Sequence, residues 1–340
     1  MTAFPKVTIG IISWNRLHYL RATLESARLC IRYPNLEWIV IDNESDEPGL
    51  REFLDGCGWI DHVVYRRQTH AAAMNQLVDM ASGDLVLVWP EDVQFTVRGE
   101  WMQEVVEIMQ ANELVGSMCL DYMRRSTIRE VFEPALSRYW RQWLEELRRY
   151  GHRFRRSRVL RSRSGYPVRT FGWRKPGVCG SGIPSLTRTE VWRRLGPWVA
   201  ARPDDPSLVD SSLGAEEDMV LRFYRARWPL QGAIPLVPVA ADIITDPTGC
   251  KAKVRGRYRY GVYMPPPDGT FYYRIREAHE LRAPADELPV DFTTAVEPLG
   301  FRLPLDANGD RRKFAFNDSV VHDARTGERV EHPLTVEAKR

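Results

Sequence analysis

The sequence predicts an α/β fold, a mostly parallel sheet with helices on both faces. Three observations carry this expectation. Five short runs rich in Val, Ile and Leu recur through residues 1–120. Segments with apolar residues at helical spacing separate them. The runs are apolar on consecutive rather than alternate residues, the pattern of strands buried on both faces.

The elements follow in order. "KVTIGII" (Lys6 to Ile12) is a β-branched first strand, and "RLHYLRATLESARLC" sets Leu17, Leu20, Leu24 and Ala27 on one helical face. "LEWIVID" (Leu36 to Asp42) and "HVVYRR" (His62 to Arg67) are the second and third strands. Ala71 to Ala81 reads as a helix, and "DLVLVW" as the fourth strand, which runs straight into Pro90, Glu91 and Asp92. Arg98 to Asn112 is a further helix and Leu114 to Leu120 a fifth strand. Ligands of such sheets bind outside the carboxyl ends of the strands. Asp42 and the Glu91-Asp92 pair both stand at strand ends, so one edge of the sheet should carry them all.

Residues 121–175 differ, with sixteen Lys or Arg against five Asp or Glu. Phe132, Tyr139, Trp140 and Trp143 mark an amphipathic helix there, and "HRFRRSRVLRSRSG" reads as a basic loop. This stretch admits three readings: a solvated helix pair, a surface for an anionic lipid headgroup or lipid diphosphate, or a nucleic-acid surface. No recognised nucleic-acid motif supports the last. The α/β pattern resumes with "CGSGIPSLTRTEVWRRLGPW", a strand and a short helix, followed by a Pro/Asp-rich loop and the helix "AEEDMVLRFYRAR". Gly180-Ser181-Gly182 is too short for a dinucleotide loop and is read as close backbone approach near an acceptor. Beyond about residue 250 the pattern weakens into Pro-rich and aromatic segments.

Composition excludes several classes. The apolar fraction of 44% is ordinary for a protein with a full core, and a net charge of +3 implies no particular partner. The five cysteines are scattered with no C-x-x-C, which suggests neither a disulfide framework nor a thiolate zinc site. The histidines form no zinc motif, and no apolar run is long enough to span a bilayer. The opening residues have no signal-peptide pattern, so a cytoplasmic location is expected, with peripheral contact at the inner face of the membrane through 121–175 as an option.

The motifs carry a resemblance. "VTIGIISWNRLHYLRATLESA" followed by "LEWIVIDNESDEPGLREFL" resembles the opening of family 2 glycosyltransferases, which have the GT-A (Rossmann-like) fold. The matching residues are Ser13, Asn15 and Arg16, then Asp42, Asn43, Ser45 and Asp46. "AAAMNQLVDMASGDLVLVWPEDV" is similar to the family's Ala-Arg-Asn helix and the strand into its Asp-x-Asp motif. The resemblance implies a nucleotide-sugar-binding half over 1–120, a basic, partly helical insertion over 121–175, an acceptor-binding half over 176–250 and a C-terminal extension over 251–340. It implies nucleotide contacts from Ser13, Asn15, Arg16, Asp42, Asn43, Asn75 and Glu91. For Asp42 the rival reading is a helix cap, although Asp46 is the better cap for "EPGLREFL". Ser13, Asn15 and Arg16 are equally candidates to cap the first helix.

Asp92 matches the family's usual metal ligand, and a hard cation such as Mn²⁺ or Mg²⁺ would stabilise the leaving diphosphate there. The rival reading is a solvated turn. Asp246 stands where many GT-A enzymes have a His that completes the metal shell. Two departures are plain: Pro90 replaces the first acid of the run, and Met74 replaces the Arg before Asn75, with Arg66 and Arg67 as the alternative source of charge. "GAEEDMVLRFYRARWPL" resembles the helix that supplies the catalytic base, with Glu216, Glu217 and Asp218 as candidates and Asp218 favoured. The implied activity is transfer of a sugar from a nucleotide donor to a hydroxyl of a glycan, lipid-linked or small-molecule acceptor, metal-dependent and inverting. The alternatives are a nucleotidyltransferase, disfavoured because no glycine follows Ile12, and a degenerate nucleotide- or glycan-binding module.

Overall fold

The computed structural model describes residues 4–120, 158–170, 184–199, 219, 222–223, 230–236, 239–243, 269–281, 299, 321–322 and 329–330. Its first half alternates as the sequence predicts: β1 (Val7–Ser13), α1 (Leu17–Cys30), β2 (Leu36–Asp42), α2 (Leu50–Asp55), β3 (His62–Tyr65), α3 (His70–Met80) and β4 (Leu85–Pro90). Short strands β5 (Val93–Phe95) and β6 (Val97–Arg98) precede α4 (Trp101–Ala111) and β7 (Val115–Cys119). Then come β8 (Val159–Arg161), β9 (Pro167–Thr170), β10 (Ser185–Arg188), α5 (Thr189–Leu195), β11 (Gln231–Pro235), β12 (Ala240–Asp242) and β13 (Arg276–Glu277). A separate two-stranded pair joins Val321–His322 to Arg329–Val330.

Nine strands form one sheet in the order β3-β2-β1-β4-β10-β7-β11-β9-β8. Strands β3, β2, β1 and β4 are parallel. β10 enters between β4 and β7 and is antiparallel to both. This mixed α/β sheet with helices on both faces is the predicted class.

The continuous apolar runs are explained by two cores, one on each face. On β2, Trp38 and Val40 face one cluster while Ile39 and Ile41 face the other. On β4, Leu85, Leu87 and Trp89 divide from Val86 and Val88 in the same way. The larger cluster takes α1 and α4, and the smaller takes α3 and α5. On β1 the face toward α3 carries Gly10. A methyl group there would sit 2.5 Å from both terminal carbons of the fully buried Leu77 of α3. Gly10 is therefore the residue that lets α3 lie close to the sheet.

One expectation is corrected. The last part of the basic stretch 121–175 is not loop: β8 and β9 form a hairpin that joins the main sheet through β9–β11 pairing. Its turn is held on α4, where the Glu104 carboxylate accepts from the Ser162 and Ser164 hydroxyls and Glu107 accepts from the Arg163 N–H at 3.0 Å. The predicted aromatic helix before it lies outside the described residues. Residues 269–281, within the C-terminal extension, reach the larger core through Tyr272, Tyr273 and Leu281. The fully buried Gln94 accepts from the Tyr272 and Tyr273 N–H groups at 2.8 and 2.9 Å and donates to the Tyr273 carbonyl at 2.7 Å. β13 then pairs with β6.

Gly10→Ala should lower stability by about 1–3 kcal/mol, the usual cost of overpacking a filled core. Urea unfolding of the two proteins checks this, and equal midpoints would show that α3 moves away freely.

Candidate functional site

The carboxyl ends of β1, β2 and β4 meet as predicted. Ser13 stands opposite Asp42, and Ile12 opposite Pro90. Glu91 and Asp92 follow at once, and both are buried. The turn is fixed by its backbone: the Glu91 carbonyl accepts from the Thr23 hydroxyl at 2.6 Å, and the Asp92 carbonyl from the Ile243 N–H at 2.8 Å.

What the two acids hold is Arg16. Its Nε lies 3.3 Å from Glu91 Oε1, and its Nη1 donates to Asp92 Oδ2 at closer range. Burial works to lower the arginine's pKa, but the charges of Glu91 and Asp92 outweigh it, so the guanidinium titrates above its ordinary value. Its carbon lies 5.9 Å from the ring centroid of Tyr19, which packs in turn against Tyr272. Burial, aided by the Arg16 charge, drives His18 down to about 3, so it is neutral at physiological pH.

Asp42 is held by the loop that follows it. Ser45 donates to it twice, from its N–H at 2.8 Å and from its hydroxyl at 2.5 Å. Burial raises the Asp42 pKa, the Ser45 bonds oppose this, and the Glu91 charge adds to the rise.

Asn15 does not cap α1, and neither do the side chains of Ser13 or Arg16. Arg16 is the N-cap position and makes no side-chain cap bond. The cap comes from across the gap, where Glu47 Oε2 accepts from the Leu17 N–H at 3.0 Å. In return Asn15 Oδ1 accepts from the N–H groups of Asp46 and Glu47 at 2.8 and 3.2 Å, and the Ser45 hydroxyl accepts from the Asn15 N–H at 2.9 Å. Asn15 has φ 49°, a left-handed conformation that Asn tolerates better than most residues. Asp46 is not the cap of α2 either, since Gly49 holds that position.

Other candidates have structural partners. Asn43 Oδ1 accepts from the Gln68 N–H at 2.6 Å. Asn75 is bonded to the backbone of Trp198 by both ends of its amide, at 2.7 and 2.9 Å. Met74, expected at a charged position, is buried in the smaller core. Arg67 instead stacks over the Trp14 ring at 4.6 Å. That pair lies just beyond the ends of β1 and β3. Sequence reasoning misses it, because the only signal there is an aromatic residue between Ser13 and Asn15.

Glu216, Glu217, Asp218, Asp246 and Gly180-Ser181-Gly182 lie outside the described residues. Met219 and Phe223, just after the three acids, are helical and buried in the smaller core.

The acid turn does not fit a divalent metal as it stands. A buried cation of the protein already spans both carboxylates. Among the described residues no three His, Cys, Asp or Glu side chains come together in a set able to hold a metal ion.

Asn15→Ala should cost about 1–3 kcal/mol, because the N–H groups of Asp46 and Glu47 lose their acceptor. Asn15→Gly accepts the left-handed backbone but also lacks the amide, so it should recover only the conformational part, about 1–2 kcal/mol. Chemical denaturation of both variants checks this; wild-type stability in Asn15→Ala would mean that the clamp is idle.

Comparisons with known proteins agree with the motifs. Residues 8–175 match the model of Glycosyl transferase family 2. An uncharacterized protein, y4gI of Sinorhizobium fredii, is 31% identical over 115 residues, which are 32% of this chain and 12% of that protein. Among solved structures, residues 1–349 of TarS of S. aureus give a TM-score of 0.44 at 14% identity, with 72% of this chain and 61% of that chain covered. The same fragment in complex with UDP gives 0.44 at 13% identity, over 72% and 62%. The mannosyltransferase PcManGT of Pyrobaculum calidifontis, in complex with GDP-Man and Mn²⁺, gives 0.41 at 18% identity, over 72% and 58%. The chain thus spans a small part of the curated relative and less than two thirds of these solved chains. From β1 to the β8–β9 hairpin, over residues 8–175, the chain matches glycosyl transferase family 2.

Proposed function

We propose that the chain transfers a sugar from a nucleotide-sugar donor to an acceptor hydroxyl. The observation that carries this is the convergence, within the matched family segment, of Ser13, Asp42 and the Glu91-Asp92 turn on one carboxyl edge of parallel strands. That edge is where open α/β sheets bind ligands.

In this reading Asp42 accepts a ring N–H of the nucleobase, a charge-assisted bond. Ser13, Asn43 and Glu91 stand around it. Asn15, Arg16 and Asn75 act by shaping the pocket: Asn15 sets the loop after β2, Arg16 sets the acid turn, and Asn75 ties α3 to the segment after α5. One of Glu216, Glu217 and Asp218 takes the proton of the acceptor hydroxyl as its oxygen attacks the anomeric carbon. The bond to the diphosphate breaks with its electron pair leaving on phosphate oxygen, and configuration inverts. Asp218 is favoured as the base. The acceptor is a glycan, lipid-linked or small-molecule hydroxyl, and the basic stretch 121–175 favours an anionic one, met in the cytoplasm or at the inner face of the membrane. Among the described residues no helix is long and apolar enough to cross a membrane.

A second reading, a binding module without turnover, has support in Pro90 at the first acid position and in the buried Met74. Two experiments separate the readings.

Thermal shift with UDP-, GDP- and dTDP-sugars should find a donor, since a ligand of the native state raises the melting temperature. Asp42→Ala should then weaken that nucleotide by about 1.5–3 kcal/mol in calorimetry, the scale of a hydrogen bond to a charged group. Unchanged affinity would move the base elsewhere.

Glu216→Gln, Glu217→Gln and Asp218→Asn should separate in turnover assays. One should lose about 10²–10⁴ in rate with donor affinity intact, because the base touches the acceptor. Near-normal turnover in all three would remove this helix from catalysis, and absence of turnover in the wild type would favour the binding module.

A further inference from the structure

We infer that Arg16 fills the place of a divalent cation on the Glu91-Asp92 turn, so that this site binds its nucleotide without metal there. The inference rests on the donor-site reading above for the nucleotide, but the ion pair stands on its own geometry. The guanidinium meets both acids at once, with Nε 3.3 Å from Glu91 and Nη1 donating to Asp92. The side chains of Arg16, Glu91 and Asp92 are 13%, 10% and 6% exposed, so water does little to screen them. A divalent ion at the same oxygens would lie within a few ångströms of a buried positive charge, where repulsion is strong.

Arg16 is also poorly placed to leave. Its backbone starts α1, with its carbonyl accepting from the Leu20 N–H at 2.8 Å. The residue before it is clamped by the loop after β2 through Asn15. Its guanidinium lies over Tyr19 of α1, which is fully buried against Tyr272. The acids are equally fixed, because Thr23 and Ile243 hold their carbonyls. A metal would have to displace a side chain supported from three directions.

The test measures metal directly and needs no turnover. Mn²⁺ is titrated into the full chain without nucleotide and followed by the electron paramagnetic resonance signal of the free ion. Wild type should leave that signal unchanged at equimolar Mn²⁺. Arg16→Ala, which leaves two carboxylates facing each other without their cation, should take up about one equivalent, and Arg16→Lys should not. One equivalent bound by wild type and lost in Asp92→Asn would overturn the inference.

Where Arg16→Ala does not fold, the wild-type titration still decides. A second arm uses UDP and GDP by calorimetry, in Mn²⁺ and in excess EDTA. Affinities should agree within about twofold; a nucleotide that binds at least about tenfold tighter with Mn²⁺ would also overturn the inference. Failure of every nucleotide to bind in both buffers would instead count against the donor site, and the Mn²⁺ titration alone would then decide the role of Arg16.

Discussion

Two carboxylates and a guanidinium removed from water must satisfy one another, because an ionised group buried alone is very costly. This constraint sets the carboxyl edge of the sheet. Glu91 and Asp92 arrive there just past β4, and Arg16 arrives just past the end of β1. Neither strand alone can bury its charge. Breaking a buried pair by removing one partner typically costs about 3–5 kcal/mol, more than replacing the whole set with apolar residues of the same shape. The turn, the start of α1 and the Tyr19–Tyr272 contact are therefore parts of one arrangement.

A second set of bonds extends it sideways. Asp42 fixes Ser45, Ser45 fixes the backbone of Asn15, and Asn15 and Glu47 exchange bonds between the start of α1 and the loop after β2. The bonds of Asn15, Ser45 and Glu47 cross between the end of β1 and the loop after β2. A comparable hub binds the opposite end of the sheet. Glu37 accepts from Thr8 and twice from Ser82, with Lys6 nearby, and although burial opposes it these bonds draw its pKa down to about 2. The sign is that of a stabilising acid. Its contribution is complete above the ordinary carboxylate range and fades only as the pH falls toward that value.

Much of this was legible in the sequence, and the limits have physical causes. The strands and helices of the first half were readable because burial on both faces leaves continuous apolar runs with helical-period segments between them. The convergence of Asp42 and Glu91-Asp92 followed from parallel strands alone. The partner of those acids did not, because a sequence shows charges without showing which of them meet. The bonds of Asn15 to the loop after β2 and of Asn75 to Trp198 were not legible, since an amide serves a backbone clamp as readily as a nucleotide. β8 was lost in a basic run because only Val159 and Leu160 are apolar there. The strap at 272–273 was lost because its anchor, Gln94, lies far away in the chain. The acids at 216–218, read by resemblance as a catalytic motif, lie outside the described residues.

The position of β8 gives the arginines around it a different meaning. It is the outermost strand of the nine, and among the described residues its far side has no strand to pair with. An open strand edge is a template on which another chain can add, the first step toward fibrous aggregation. Val159 is 38% exposed there and invites such a contact. Arg158 and Arg161 flank it, both exposed, and Arg163 stands exposed in the turn beyond. A second copy approaching in register would bring these cations together. Arg158 and Arg161 thus set like charges at the outermost described strand, which disfavours in-register addition of a second copy there.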